Sequence, residues 1–218
     1  MSHLIVFDLD GTLVDTAPDL LAALNVAMRA EGLGPISLEL CRTLVGAGVR
    51  ALVERGLRTH GRVVTAQRFE ELVAVFLDHY GRNISRHSTP YPGVLDELLD
   101  LQSQGWRFAI CTNKLEAYSV QLVRELRMSH WFSAICGGDT FAFRKPDPRH
   151  LTETIGRAGG GSAIMVGDSR TDVDTARAAG IPIIGVSFGY TDVPMRDLKP
   201  DVLIDDYGAF AAAVHRLT

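Results

Sequence analysis

The stretch L4-I-V-F-D8-L-D10-G-T-L-V-D15 decides how this chain folds. It opens as a continuous apolar run and ends on an acidic pair, the pattern of a parallel strand buried on both faces with its chemistry at the C-terminal end. The pattern returns three times, at 108–111 before T-N-K, at 163–166 before G-D-S and at 181–186 before S-F-G. Helices are expected between these runs at 93–103, 116–126, 149–157 and 172–179, each starting near Pro, Gly or an acidic residue. Short strands alternating with helices of this length predict an α/β fold with a parallel sheet wrapped on both faces.

Residues 17–85 break that rhythm. They read as consecutive helices at 17–31, 38–44, 49–59 and 66–80, punctuated by G-L-G-P and G-A-G, with no convincing strand among them. A helical block placed after the first strand, with the sheet resuming beyond P-Y-P-G at 90–93, reads as a second small domain over the sheet's active edge. The expected division is a core of residues 1–16 and 86–218 and a helical domain of residues 17–85. Near the end, 201–205 reads as an edge strand and 207–217 as a short closing helix.

A compact chain of 218 residues buries about 70% of its extended surface, enough for one large core with a small satellite. Lys and Arg number 22 against 26 Asp and Glu, a net charge of −4 that offers no basic field to a nucleic acid or an anionic membrane. The 46% apolar and 22% charged fractions fit a soluble globule, and no apolar run approaches the ~20 residues that span a bilayer. The beginning, M-S-H-L-I-V-F-D, has neither a basic stretch nor a small-residue cleavage site, so a cytoplasmic protein is expected. Cys41, Cys111 and Cys136 are scattered and odd in number, which suggests neither a disulfide framework nor a Cys-x-x-Cys metal site.

Asp8 and Asp10 carry the first chemical signal. Alternation along a strand puts both carboxylates on one side, where they repel unless a cation or a shared proton separates them. The pair suits a Mg²⁺ site, or a division of labour in which one carboxylate attacks while the other moves a proton; it is also compatible with a turn-forming acid pair. Thr112 and Asn113 can receive phosphate oxygens at a strand end or simply cap a helix. Lys145, in F-R-K-P-D-P, is one of only three lysines beside 19 arginines, so a compact point charge has been placed where the composition prefers Arg; a surface role is the alternative. Asp168 in G-D-S-R-T-D can complete a metal site, with Asp172 supporting it or capping the helix that follows. Polar groups after four strands, in a fold that gathers ligands at strand C-termini, converge on phosphoryl transfer. No P-loop motif is present, and no G-x-G-x-x-G follows the first strand.

With D8-L-D10-G-T-L-V-D15, T112-N113, K145-P146-D-P148 and G167-D168-S-R-T-D172 in this order and spacing, the chain resembles the haloacid dehalogenase-like hydrolases over essentially its full length. The resemblance implies a Rossmann-like three-layer core and a helical cap of the type inserted after the first strand. It implies that Asp8 is nucleophile and Mg²⁺ ligand and that Asp10 is general acid and base, contributing its backbone carbonyl to the metal. Asp168 is implied as a further ligand and Asp172 as a supporting one. Thr112 and Asn113 would bind the phosphoryl group and Lys145 would balance its charge. The name-giving dehalogenases generally lack the second aspartate, so Asp10 favours a phosphatase or phosphomutase. Within the superfamily the stretches L44-V-G-A-G-V-R50, C-T-N-K, G-G-D-T and F-R-K-P-D-P are most similar to the bacterial phosphoglycolate phosphatases, which implies hydrolysis of 2-phosphoglycolate. A hexose-phosphate mutase, a broad metabolite phosphatase or pyrophosphatase and a non-enzymatic binding protein are the alternatives. The cap's contribution is expected from Gly46 and Gly48, allowing close approach, and from Arg50, reaching the substrate carboxylate or facing solvent. The expected partner is a small phosphorylated metabolite, on a monomer or homodimer, with no nucleic acid and no membrane.

Overall fold

In the computed structural model the described residues are 3–218; Met1 and Ser2, where the reading of the N-terminal segment begins, lie outside them. The first strand, β1 (His3–Phe7), ends one residue before Asp8. Its residues Leu4, Ile5, Val6 and Phe7 are wholly buried. Ile5 and Phe7 join one apolar cluster and Leu4 and Val6 the other, so the period of two along the strand feeds both sheet faces. After a short β2 (Val14–Asp15) come α1 (Ala17–Ala30), α2 (Leu38–Leu44), α3 (Val49–Thr59) and α4 (Ala66–Arg82). A two-residue β3 (Thr89–Pro90) pairs antiparallel with β2, so the outgoing and returning segments of the helical insertion are stitched side by side.

The core resumes with α5 (Val94–Ser103), β4 (Arg107–Cys111), α6 (Glu116–Glu125), β5 (Phe132–Cys136), α7 (Pro148–Arg157), β6 (Ser162–Gly167), α8 (Arg170–Ala179), β7 (Ile183–Val186), α9 (Met195–Leu198), β8 (Val202–Ile204) and α10 (Phe210–His215). The six-stranded sheet has the order β5-β4-β1-β6-β7-β8 and every pairing is parallel. From β1 the chain builds outward through β4 and β5, then returns to β1's other side for β6, β7 and β8. The strand order therefore reverses at β1, and the C-terminal ends of β1, β4 and β6 meet at the crevice where open α/β sheets bind ligands.

Helix formation in the cap follows its capping and its apolar stripes. Ser37 accepts from the N–H of Leu40 at the start of α2, and Thr65 accepts from that of Arg68 at the start of α4, each at 3.2 Å and each the kind of cap worth about 1 kcal/mol. Leu24 and Met28 of α1, Leu52 and Val53 of α3, and Leu72 and Phe76 of α4 share one buried cluster. This cluster continues into Phe7 and Leu13 below, so the cap stands on the core's own apolar interior. The buried Asp19 accepts from the backbone N–H groups of His87 (2.9 Å) and Ser88 (2.8 Å) and from the Ser88 hydroxyl (2.7 Å), tying the beginning of α1 to the segment that returns to the core.

Several boundaries differ from expectation. The strand β5 lies at the sheet edge, where F-S-A-I-C is mostly half-buried and lacks the continuous apolar run of an interior strand. Helix α8 begins at Arg170 because Ser169 and Asp172 form a reciprocal capping box, which puts Asp172 in the first turn. The strand read at 181–186 starts at Ile183, and the closing segment is a 3₁₀ turn (Tyr207–Ala209) running into α10.

Candidate active site

Asp8 leaves the end of β1 with its N–H bonded to the carbonyl of Val166 on β6 (2.9 Å), which fixes its direction. Beside it, Lys145 is 2% exposed and holds its Nζ 2.9 Å from Asp8 Oδ1 while donating to Asp172 Oδ1 at 2.6 Å. Asp172 Oδ2 accepts from the N–H and hydroxyl of Ser169, so both of its oxygens are committed. Asp168, following β6, accepts from the Thr12 hydroxyl at 3.2 Å and from the backbone N–H of Tyr190. Gly11 is required where the chain turns over this carboxylate: its φ is +84°, and a Cβ there would sit 2.3 Å from Asp168 Oδ2.

The electrostatics of this floor follow from burial. Desolvation, only partly offset by Lys145, raises the Asp8 carboxyl to about 6, and burial beside Asp172 and Asp8 pushes Asp168 well above the usual carboxylate range. Oxygens of Asp8, Asp168 and Asp172 lie within 4.8 Å of one another, with the Lys145 ammonium as their neighbouring cation at 2.9 Å from Asp8 and 2.6 Å from Asp172. Three buried carboxylates around one ammonium leave negative charge in excess. The residues fit a hard divalent cation with oxygen ligands.

Thr112 and Asn113 stand at the end of β4, the N–H of Thr112 bonding the carbonyl of Cys136 at 3.0 Å. Asn113 donates to the carbonyl of Lys145 at 3.1 Å and leaves its Oδ1 buried and unpartnered. Lys145 is held in turn by its backbone: its N–H donates to Nδ1 of His150 at 3.1 Å. Burial and the Lys145 charge lower the His150 pKa to about 4, so the ring stays neutral and keeps that acceptor. Above the floor, a pocket of about 550 Å³ of atom-free space, open solvent included, reaches from Asp8, Asp10, Thr112 and Asn113 to Leu52 and Phe76 of the cap.

The family model described as Haloacid dehalogenase-like hydrolase matches residues 5–186, most of the chain, and spans Asp8, Thr112, Lys145 and Asp168. The chain belongs to the haloacid dehalogenase-like hydrolases. Its sequence is 50% identical over 208 residues to a phosphoglycolate phosphatase of Mesorhizobium japonicum, covering 94% of this chain and 92% of the relative. A phosphoglycolate phosphatase of Agrobacterium fabrum is 46% identical over 216 residues, covering 98% and 93% respectively. Among solved structures, a predicted phosphoglycolate phosphatase from Haemophilus somnus 129PT superposes with a TM-score of 0.89 at 31% identity, over 97% of each chain. This haloacid dehalogenase-like hydrolase is thus an enzyme with phosphatase-type chemistry on small metabolites, and its helical insertion is the cap that follows the first strand. No helix among the described residues is long and apolar enough to cross a membrane.

Arg50 takes the second of its two expected places, the side chain of Asp10 stays out of the carboxylate cluster, as a metal contribution from its backbone carbonyl allows, and of the two cap glycines one approaches closely. Arg50 does not line the pocket over Asp8; its guanidinium makes two hydrogen bonds to Glu70, 2.7 and 2.6 Å long, and lies over the Phe69 ring on an open face of the cap. Asp10 does not share the carboxylate cluster through its side chain, which instead accepts from Thr16 (2.7 Å) and Lys114 (2.8 Å). Gly48 makes the expected close approach, since a Cβ would lie 3.2 Å from the carbonyl oxygen of Asn113. Gly46 does not, because nothing stands within 4 Å of its Cβ position; what it contributes is its carbonyl, 3.5 Å from Asn113 Nδ2. Lys114 and Tyr80 were not among the sequence candidates. The rarity of lysine that singled out Lys145 applies equally to Lys114, and two of the chain's three lysines stand in the site.

Proposed function

We propose that this enzyme is a Mg²⁺-dependent phosphatase that hydrolyses 2-phosphoglycolate to glycolate and phosphate through an aspartyl-phosphate on Asp8. The observation that carries the reading is the gathering of Asp8, Asp10, Thr112 and Asp168 at three adjoining strand ends, with Lys145 reaching Asp8 from the loop before α7 and an apolar cap as the roof. Mg²⁺ would be held by Asp8, the backbone carbonyl of Asp10 and Asp168, with Asp172 orienting Lys145 and the turn beside Asp168. The ion supplies charge neutralisation for the phosphoryl oxygens.

The residues of the chain divide the work. Asp8 forms the new bond to phosphorus as the bond to the ester oxygen breaks, and Asp10 gives that oxygen its proton, releasing glycolate. Asp10 then removes a proton from the water that attacks phosphorus, the acyl phosphate bond breaks, and phosphate and the free Asp8 carboxylate are regenerated. The Thr112 hydroxyl and the backbone N–H of Asn113 orient the transferring group, the Asn113 amide steadies the Lys145 segment, and Lys145 holds Asp8 against the phosphoryl group. The cap excludes bulk water from the acyl phosphate. The relatives' names and the small, largely apolar roof favour a short leaving group over a sugar or nucleotide.

The test is kcat/KM for phosphate release with Mg²⁺ from 2-phosphoglycolate, glucose 1-phosphate, glucose 6-phosphate, a nucleoside monophosphate and pyrophosphate. A preference of about 100-fold for 2-phosphoglycolate, equivalent to ~2.7 kcal/mol of transition-state discrimination, is expected. A flat profile would discard that substrate, and stimulation by a hexose bisphosphate would favour mutase chemistry.

A further inference from the structure

Arg50 turns away from the pocket, which leaves the carboxylate end of a phosphorylated hydroxy acid without its expected cation. The pocket itself supplies another. Among its lining residues the only cation is Lys114, on the loop between β4 and α6, and the surrounding roof is apolar: Leu20, Val49, Leu52, Phe76 and Leu77. The Lys114 side chain is 5% exposed, and its Nζ donates to Asp10 Oδ1 (2.8 Å), Asp10 Oδ2 (3.1 Å) and the Tyr80 hydroxyl (2.6 Å). It also lies 4.5 Å from the centroid of the Tyr80 ring. Tyr80 belongs to α4, so this one ammonium joins the catalytic floor to the cap. The buried Tyr80 oxygen accepts from Lys114, and its own proton goes to no acceptor among the described residues.

We propose that Lys114 and Tyr80 form the subsite for the substrate's carboxylate and that Lys114 sets leaving-group selectivity; the inference rests on the phosphatase reading above and deepens it. A buried ammonium is costly unless paired, and among the described residues Asp10 is its only anionic partner. In a 2-phospho-hydroxy acid the carboxylate is separated from the ester oxygen by a single carbon. An ester oxygen placed at Asp10 therefore brings its carboxylate beside the Lys114 ammonium, with the free Tyr80 proton as a second donor. A neutral group of the same size gains neither contact and leaves the ammonium facing an apolar leaving group, which is discrimination by an unmatched buried polar partner.

The experiment compares kcat/KM for 2-phosphoglycolate with that for ethyl phosphate in the wild type, Lys114→Gln and Tyr80→Phe, with Mg²⁺ present. Both substrates have an alkyl ester oxygen that Asp10 protonates as it leaves, so a disturbance of Asp10 acts on both and largely cancels in the ratio. The wild-type ratio is expected to exceed about 100, to fall at least 30-fold in Lys114→Gln and to fall by roughly 3- to 10-fold in Tyr80→Phe. A high wild-type ratio that survives in Lys114→Gln overturns the subsite and leaves the phosphoglycolate reading standing; a wild-type ratio near one overturns both. If Lys114→Gln does not fold, the wild type decides by product inhibition. Glycolate is then expected to bind at least about tenfold more tightly than glycolamide, and equal inhibition overturns the subsite.

Discussion

The floor of the site and its roof are built on opposite principles. On the floor, Lys145 joins Asp8 to Asp172 by short ion pairs, Ser169 holds Asp172, and Thr12 with the Tyr190 N–H holds Asp168, so each charge has its direction set by fixed neighbours. The roof is a stripe of leucine, valine and phenylalanine from α1, α3 and α4, with Tyr80 as its polar contribution to the Lys114 network. Such a contrast teaches where chemistry and selectivity reside: a rigid charged floor suits any phosphoryl group, while an apolar roof discriminates through the few polar groups that reach it.

The comparison breaks most sharply at Asp8. Asp8→Asn removes the proposed nucleophile and is expected to lower kcat by on the order of 10⁴-fold or more, with the circular dichroism spectrum retained; turnover within tenfold of wild type would refute the assignment. Asp172 acts through its neighbours, so Asp172→Asn should raise the Mg²⁺ concentration needed for half-maximal activity by about 10- to 100-fold, with excess Mg²⁺ restoring part of the rate. An unchanged Mg²⁺ dependence would remove Asp172 from the site. On the cap loop, Gly48→Ala forces a side chain onto a residue with φ +85° and against the Asn113 carbonyl, and KM should rise by about tenfold with a smaller change in kcat.

A stability measurement sharpens the same contrast. In the folded protein Asp8 takes up its proton at about 6, against 3.8 for its unperturbed carboxyl. Between these values the folded chain binds more protons at this site than the unfolded chain, so Asp8 lowers stability as pH rises through that window. His150, held down to about 4, works in the opposite sense, and a comparison with Asp8→Asn cancels it. In metal-free urea denaturation Asp8→Asn should therefore exceed wild type by up to roughly 3 kcal/mol above about pH 6, with the difference vanishing near pH 4. A constant difference across that range would contradict the buried-charge account. The smallest effect belongs to Arg50: with its guanidinium paired to Glu70 on an open face, Arg50→Ala should leave KM within about twofold. A large rise in KM would place Arg50 in the pocket after all.

How far the sequence carries depends on what positions each residue. Asp8, Thr112 and Asp168 were legible because a buried apolar run ends at each of them, and a parallel sheet delivers strand ends to one edge without further information. The cap helices were legible as helices, with α2 and α3 falling on the expected residues 38–44 and 49–59. Their facing was not. Arg50 and Leu52 are two positions apart on α3, and only packing against α1 and α4 decides that Leu52 meets the pocket while Arg50 meets Glu70. Strand β5 escaped because an edge position does not demand an apolar run. The pairing of Lys114 with Tyr80 joins residues 34 positions apart on different elements, a contact no local pattern announces.

The most direct test of the central claim is an acid-quenched mass measurement on Asp10→Asn turning over acetyl phosphate with Mg²⁺. Acetate leaves without needing a proton, whereas hydrolysis of the acyl phosphate needs the base that this variant lacks. The account predicts that close to one phosphoryl group per chain accumulates and that peptide mapping places it on Asp8. Acetate release without a phosphoryl-enzyme, or a phosphoryl group on any other residue, would contradict it.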